Sequence, residues 1–281
     1  MKTRILAGLA MIPLLVLVYF GGWFLAVPVF AAMVIGLREF YKGFEAKEVK
    51  PSYVIGYVSI GLLLILYFAM KFFTFDFGTS YLFLAMWGVI VIMMSMIYGF
   101  KVSERKLEDM TATLMGIFYV CFMLFHLLFI DGFFPYIIWL VFIIAFGTDI
   151  CAYFSGMFLG KHKLCPELSP KKTVEGAIGG VLGSTILSLA FGYFYLIQHL
   201  DMSWGLALTI ILSLSILGSV ISQLGDLAAS AFKRQMEIKD YGNLIPGHGG
   251  ILDRFDSVIF VAPFVFYGMY IILLIYMVIY Q

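Results

Sequence analysis

The residues best suited to chemistry stand together in one stretch, Ser230 to Asp256, which reads SAFKRQMEIKDYGNLIPGHGGILDRFD. It holds Lys233, Arg234, Lys239, Asp240, His248, Asp253, Arg254 and Asp256. Gly242, Gly247, Gly249 and Gly250 are interleaved with them and let a backbone bend tightly or approach a ligand. Three more acids, Asp149, Glu175 and Asp226, lie within or at the edge of long apolar runs. An Asp at the centre of a membrane-spanning helix costs about 2.5 to 3.5 kcal/mol, so such acids face a cavity, a partner or an ion. The bland reading of Asp149 and Asp226 is a tie between helices through a nearby Lys or Arg. For Asp149 both readings stay open; for Asp226 the polar stretch just downstream favours function.

The elements that must position these residues are membrane helices. With 63% hydrophobic and 12% charged residues and a mean hydropathy of +1.02, the 281-residue chain has more apolar surface than a soluble core can hide. The expected fold is all-α, a polytopic helical bundle. A net charge of +1 gives no basic surface for nucleic acid, and there is no long charged tail. Cys121, Cys151 and Cys165 form no CxxC pair, which leaves neither a disulfide framework nor a zinc site and suggests buried, inert thiols.

At roughly 17 to 25 residues per span, about nine transmembrane helices are expected: Ile5 to Phe20, Trp23 to Leu37 after a turn at Gly21-Gly22, Tyr53 to Met70, Tyr81 to Tyr98, Thr111 to Phe129, Tyr136 to Gly160, Ala177 to Ile197, Trp204 to Ala229 and Val258 to Tyr280. The first resembles a signal peptide without a clear cleavage site and is read as a retained helix. With the N-terminus cytoplasmic, every Lys/Arg cluster falls on the cytoplasmic side and only Lys71 outside. Residues 1–133 then make an N-terminal part of about five helices, and 134–281 a catalytic part of about four, with cytoplasmic loops 161–175 and 231–256. Asp149 lies about thirteen residues, roughly 20 Å, along an inward-running helix. Asp226 sits near the cytoplasmic end of another, in a stripe with Ser222 and Ser230. With Glu175 and Asp253 at the starts of the next helices, four acids are expected at one depth beside two basic loops, where phospholipid headgroups begin.

At these residues the sequence resembles a known family. Ser230, Lys233-Arg234, Lys239-Asp240, Gly242, Pro246, His248-Gly249-Gly250 and Asp253-Arg254-Phe255-Asp256 match the spacing of the phosphatidate cytidylyltransferases (CDP-diacylglycerol synthases). A second block resembles the same family: Asp149, Ala152-Tyr153, Gly156, Gly160-Lys161, Ser169-Pro170-Lys171-Lys172-Thr173, Glu175-Gly176 and Gly179-Gly180. The two blocks span roughly the C-terminal half; the first five helices carry no specific motif.

The resemblance implies the reaction CTP plus phosphatidic acid to CDP-diacylglycerol plus pyrophosphate, with Mg2+ as cofactor; a second, monovalent or divalent, cation stays open. By resemblance Asp226 and Asp253 are metal-binding and catalytic acids, with Asp256 a third metal candidate. Lys239 and Arg254 join the catalytic set. Lys171, Lys172, Ser169, Ser230, Lys233, Arg234, His248 and Asp149 are substrate-binding candidates. The chemistry suits them, because two anions meet and a third leaves, so fixed cations and hard oxygen ligands matter most. The Ser169 to Thr173 run also promises free backbone N–H groups at a helix start, a favourable place for phosphate. His248 fits phosphate binding or loop shaping better than general-base work, since phosphatidic acid is already anionic.

The resemblance further implies a homodimer, and the chain looks like bacterial members, hence an inner-membrane protein with a cytoplasmic active site, in contact with membrane lipid and with no nucleic-acid partner. A cavity open to the cytosol and sideways to the inner leaflet is expected. Lys161 and Lys163 read as ordinary loop residues, His126 and His199 as packing or interfacial residues, and Gly176 and Gly180 as a close helix contact. A CTP-using lipid kinase would share the nucleotide but transfer the γ-phosphoryl group. An ion-coupled transporter lacks its usual inverted repeats here, and a CDP-alcohol phosphotransferase lacks its early Asp-Gly motif.

Overall fold

A computed structural model describes residues 16–73, 75–199, 203–244 and 249–280. Among them eight helices are long and apolar enough to cross a membrane. They are α1 (Gly22–Glu45), α2 (Tyr53–Phe73), α3 (Phe77–Tyr98), α4 (Leu107–Phe133), α5 (Ile138–Leu159), α6 (Val174–Leu196), α7 (Trp204–Gln235) and α8 (Leu252–Tyr280). Between α5 and α6 lies a small antiparallel hairpin, β1 (Lys163–Cys165) and β2 (Ser169–Thr173). The polytopic helical architecture is as expected. Of the expected first span only the helical residues 16–20 are described; the rest of Ile5 to Phe20 lies outside the described residues. Gly21 and Gly22 follow with φ of 59° and 52°, a region that suits glycine.

Several boundaries differ from the hydropathy reading. The helix expected to stop at Leu37 continues to Glu45 and takes Arg38, Glu39 and Lys42 with it. The helix expected to begin at Val258 begins at Leu252, and the one expected to end at Ala229 runs to Gln235. Charged residues at a helix end satisfy backbone hydrogen bonding as well as apolar ones do, so apolar content marks the lipid-crossing segment and not the helix. Ser169 to Thr173, expected to offer free N–H groups at a helix start, is instead the second strand of the hairpin, and the helix starts one residue later at Val174.

The chain divides into two compact units, Met1–Leu128 with Gln235–Arg254, and Phe129–Arg234 with Phe255–Gln281. The polar segment after α7 therefore groups with the N-terminal helices.

In the first unit, helix ends are tied by side chains to loop backbone. Asp109, buried at the start of α4, accepts from the Lys106 and Lys50 amides at 2.9 and 2.6 Å. The Tyr41 hydroxyl donates to the Thr113 carbonyl at 2.8 Å, and the Trp87 indole to the Ser59 carbonyl at 3.0 Å. His126 is a packed residue, its Nδ1 2.9 Å from the Phe122 carbonyl; the side chain of His199 lies outside the described residues.

In the second unit, close packing comes from small residues, as expected where lipid offers helices no hydrophobic reason to associate. On α6 the buried positions Gly176, Gly180, Ser184 and Ser188 recur every fourth residue and face α5 and α7. A methyl at Gly176 would come 2.8 Å from the Ala152 carbonyl, and one at Gly180 3.0 Å from the Thr148 carbonyl. Gly225 does the same for α7 against α8, where a methyl would lie 2.8 Å from the Asp256 carbonyl. These glycines let α6 approach α5, and α7 approach α8.

Candidate active site

Asp149 on α5, Asp226 on α7 and Asp256 on α8 are drawn together in the second unit. The Ser257 hydroxyl donates to Asp149 Oδ2 at 3.1 Å, and the Ser257 amide donates to Asp256 Oδ1 at 2.8 Å, so one serine holds two of the acids. Asp226 and Asp149 lie close enough to Asp256 to repel it, and Lys233 close enough to attract it. Asp226 Oδ2 pairs with Lys172 Nζ at 2.5 Å, with 28% and 25% of the two side chains exposed. Three carboxylates thus face two lysines from different elements. That excess of negative charge in a partly buried place invites a further cation.

Among the described residues no three His, Cys, Asp or Glu side chains converge tightly enough to hold a metal alone. Mg2+ is commonly bound by one or two carboxylates completed by substrate phosphates. Asp226 and Asp256, with Asp149 beside them, match that incomplete set.

The substrate candidates take two settings. Ser169, Lys171 and Lys172 lie on β2, with Lys171 exposed. The hairpin is fixed to α6 at two points. Glu175 accepts from the Lys161 amide at 3.0 Å, from the His162 amide at 3.2 Å and meets His162 Nδ1 at 2.6 Å. Thr173 caps α6, its Oγ1 accepting from the Gly176 amide at 3.1 Å. Glu175 is therefore engaged with its own loop and does not stand with Asp149 and Asp226 as the shared depth suggested. Ser230, Lys233 and Arg234 follow Asp226 along the last turns of α7.

Asp253 belongs to the other unit, in the first turn of α8. Its Oδ2 accepts from the Tyr241 amide at 2.9 Å and the Gly250 amide at 3.0 Å. It thus closes the polar segment on itself. Gly249 takes φ 81°, and a methyl there would crowd the Asp253 carboxylate. Arg254 follows, its amide donating to the Ile251 carbonyl at 3.0 Å. Lys239 is exposed in the segment, and His248 lies outside the described residues.

Two residues of this architecture are absent from the sequence reading. Ser257 adjoins the Asp253 to Asp256 run and could have been included by proximity. Glu39 could not. Its Oε1 accepts from the Ile251 amide at 3.1 Å and its Oε2 from the Leu252 amide at 3.0 Å, across more than two hundred residues.

Residues 2–272 match the model of the cytidylyltransferase family. The chain belongs to that family. Among curated relatives, this cytidylyltransferase is 37% identical over 272 residues to the phosphatidate cytidylyltransferase of Bacillus subtilis (strain 168), covering 95% of this chain and 97% of that one. It is 48% identical over 122 residues to that of Staphylococcus aureus (strain COL), 43% of this chain and 44% of the other. With that of Staphylococcus haemolyticus (strain JCSC1435) it shares 42% identity over 165 residues, 57% of this chain and 60% of the relative.

Proposed function

We propose that this cytidylyltransferase acts on phosphatidic acid: CTP and phosphatidic acid give CDP-diacylglycerol and pyrophosphate. A phosphate oxygen of the lipid attacks the α-phosphorus of CTP. The bond from that phosphorus to the oxygen bridging to the β-phosphate breaks, and pyrophosphate leaves with the electron pair. The lipid phosphate is anionic at neutral pH, so no strong base is required. The observation that carries this reading is the cluster of Asp149, Asp226 and Asp256 with Lys172 and Lys233 in a protein that crosses the membrane repeatedly.

Each residue has a task that follows from its setting. Asp226 and Asp256 would hold Mg2+, which would screen the phosphates and draw charge from the phosphorus under attack; Asp253 is a metal candidate by the family motif alone. Lys172 now neutralises Asp226; relieved of that duty, it meets a phosphate oxygen of a substrate. Ser257 keeps Asp149 and Asp256 oriented. Lys171, on the same strand with its side chain exposed, receives nucleotide or lipid phosphate, and Lys233 and Arg234 neutralise charge from the end of α7. Lys239 and Arg254 are catalytic candidates by the family motif, cations suited to the charge that develops on departing pyrophosphate. We place the site on the cytoplasmic side of a bacterial inner membrane, where CTP is available, and expect a homodimer, in keeping with the family resemblance.

The test is turnover of labelled CTP by purified protein in detergent with phosphatidic acid and Mg2+. Mg2+-dependent CDP-diacylglycerol and pyrophosphate support the reading. Release of CDP with a phosphorylated isoprenoid alcohol, and no product from phosphatidic acid, overturns it in favour of the lipid kinase.

A further inference from the structure

The segment between α7 and α8 carries Lys239 and leads into Asp253 and Arg254, yet its described residues form no helix or strand element of their own. Its shape depends on two carboxylates. Asp253 ties Gly250 to Tyr241, as described above. Glu39 takes the next two amides, Ile251 and Leu252, which are the unpaired donors at the start of α8.

Three features make Glu39 more than a surface cap. It is buried, with 9% of its surface exposed, in the middle of a membrane protein's polar end. Space has been cleared for it, because a methyl at Gly242 or Gly250 would come within 3.0 Å of its carboxylate. The rest of the segment follows the same helix. Gly43 of α1 lies against Met236, Gly36 against Leu252, and the rings of Phe40 and Tyr241 meet at a tilt of 38° with centres 6.1 Å apart. Two glycines of the C-terminal motif, Gly242 and Gly250, are thereby explained by an acid in the first described helix.

Resting on the phosphatidate cytidylyltransferase reading, we propose that Glu39 is a positioning residue for cytidylyl transfer: by holding the Ile251 and Leu252 amides it sets where Asp253 and Arg254 stand. A misplacement of about 1 Å is enough to cost on the order of 100-fold in rate. Glu39→Gln keeps the volume but turns one acceptor into a donor facing an amide. It should lower kcat by about 10- to 100-fold while leaving KM for phosphatidic acid within about twofold.

Gly250→Ala should cause a similar loss. Glu39→Asp combined with Gly250→Ala, where the shorter acid makes room for the methyl, should recover part of it. Amide exchange supplies the second readout. In Glu39→Gln the Ile251 and Leu252 amides should lose protection while α2 and α3 keep theirs. Wild-type kcat in Glu39→Gln, a double variant no better than Gly250→Ala alone, or exchange raised uniformly through all helices would each overturn the proposal. The exchange arm reads the clamp even if the wild-type protein fails to use phosphatidic acid, so failure of the clamp and failure of the substrate assignment are seen separately.

Discussion

The two polar segments flanking α6 and α7 are held by the same device with opposite sensitivity. Each is pinned by a glutamate that accepts from two consecutive backbone amides, Glu175 for Lys161 and His162, and Glu39 for Ile251 and Leu252. Glu175 sits 13 and 14 residues from its partners and its side chain is 24% exposed. Glu39 is 212 and 213 residues from its partners and is buried. If Glu175 lets go, water can replace it, and the paired strands still hold the hairpin. The segment at Glu39 is held otherwise by Asp253 and by packing on α1, and the Leu252 amide there is buried, where a donor left unpaired costs about 1 to 3 kcal/mol. Equivalent geometry therefore does not mean equivalent importance.

The largest effects belong to the acids that these segments serve. Asp226→Asn and Asp253→Asn should each reduce turnover by about 10²- to 10³-fold, the scale of losing one preorganised electrostatic group. Raised Mg2+ should recover part of the loss if the acid binds metal. The comparison would break if Asp253→Asn kept full turnover, because Asp253 would then serve only to close its loop. Next in size comes the contrast between the two clamps. Against the tenfold or greater loss expected for Glu39→Gln, Glu175→Gln should stay within about threefold, as for a partly solvated substitution with other supports. Equal losses measured side by side would show that exposure is not what separates them.

The same contrast explains what the sequence could reveal. Composition and charge placement made the membrane helices legible, because lipid forces apolar runs and their lengths. Asp226, Lys172 and Asp256 were legible as residue types in the motif, although their mutual contacts were not. The strand pairing of Ser169 to Thr173 with Lys163–Cys165, just before the helix, was not legible because it leaves no apolar signature in so short and polar a run. Glu39 was invisible for a stronger reason. The apolar run ends at Leu37, so Glu39 looked like an ordinary charged loop residue beside Arg38, and no local pattern points to partners at 251 and 252. Gly242 and Gly250 hinted at a close approach without saying to what.

A smaller effect tests how far the hairpin depends on its second support. Thr173 caps α6 and packs against Gly156, Gly160 and Gly176, all of which a methyl would push into it. Thr173→Val preserves size and removes the acceptor, at a cost of about 1 kcal/mol, the usual value of an N-cap; Thr173→Ser should be close to neutral. A Tm in detergent a few degrees lower for the valine variant alone would assign the effect to the hydrogen bond. Equal Tm losses for both would assign it to packing, and the hairpin would then be held by shape more than by its caps.

The smallest effect should come from a more exposed tie to the segment after α7, the ion pair of Lys47, two residues past α1, with Glu237. It joins the chain just after α1 to the start of the segment that Glu39 holds at its end, but its side chains are 38% and 77% exposed. Lys47 holds Glu237 below the usual glutamate range through its hydrogen bond. A carboxylate with a lowered folded pKa contributes its stability above its unfolded pKa and loses it as pH falls through the folded one. The difference in Tm between wild type and Lys47→Ala should therefore be small at neutral pH, shrink with added salt, and vanish in acid below the ordinary glutamate range. Turnover should remain within about twofold of wild type, as for most exposed pairs. If Lys47→Ala instead reproduced the loss seen in Glu39→Gln, any anchor to α1 would suffice to position Asp253. The buried carboxylate would then have no special place, and the contrast between solvated and desolvated clamps would fail at its strongest point.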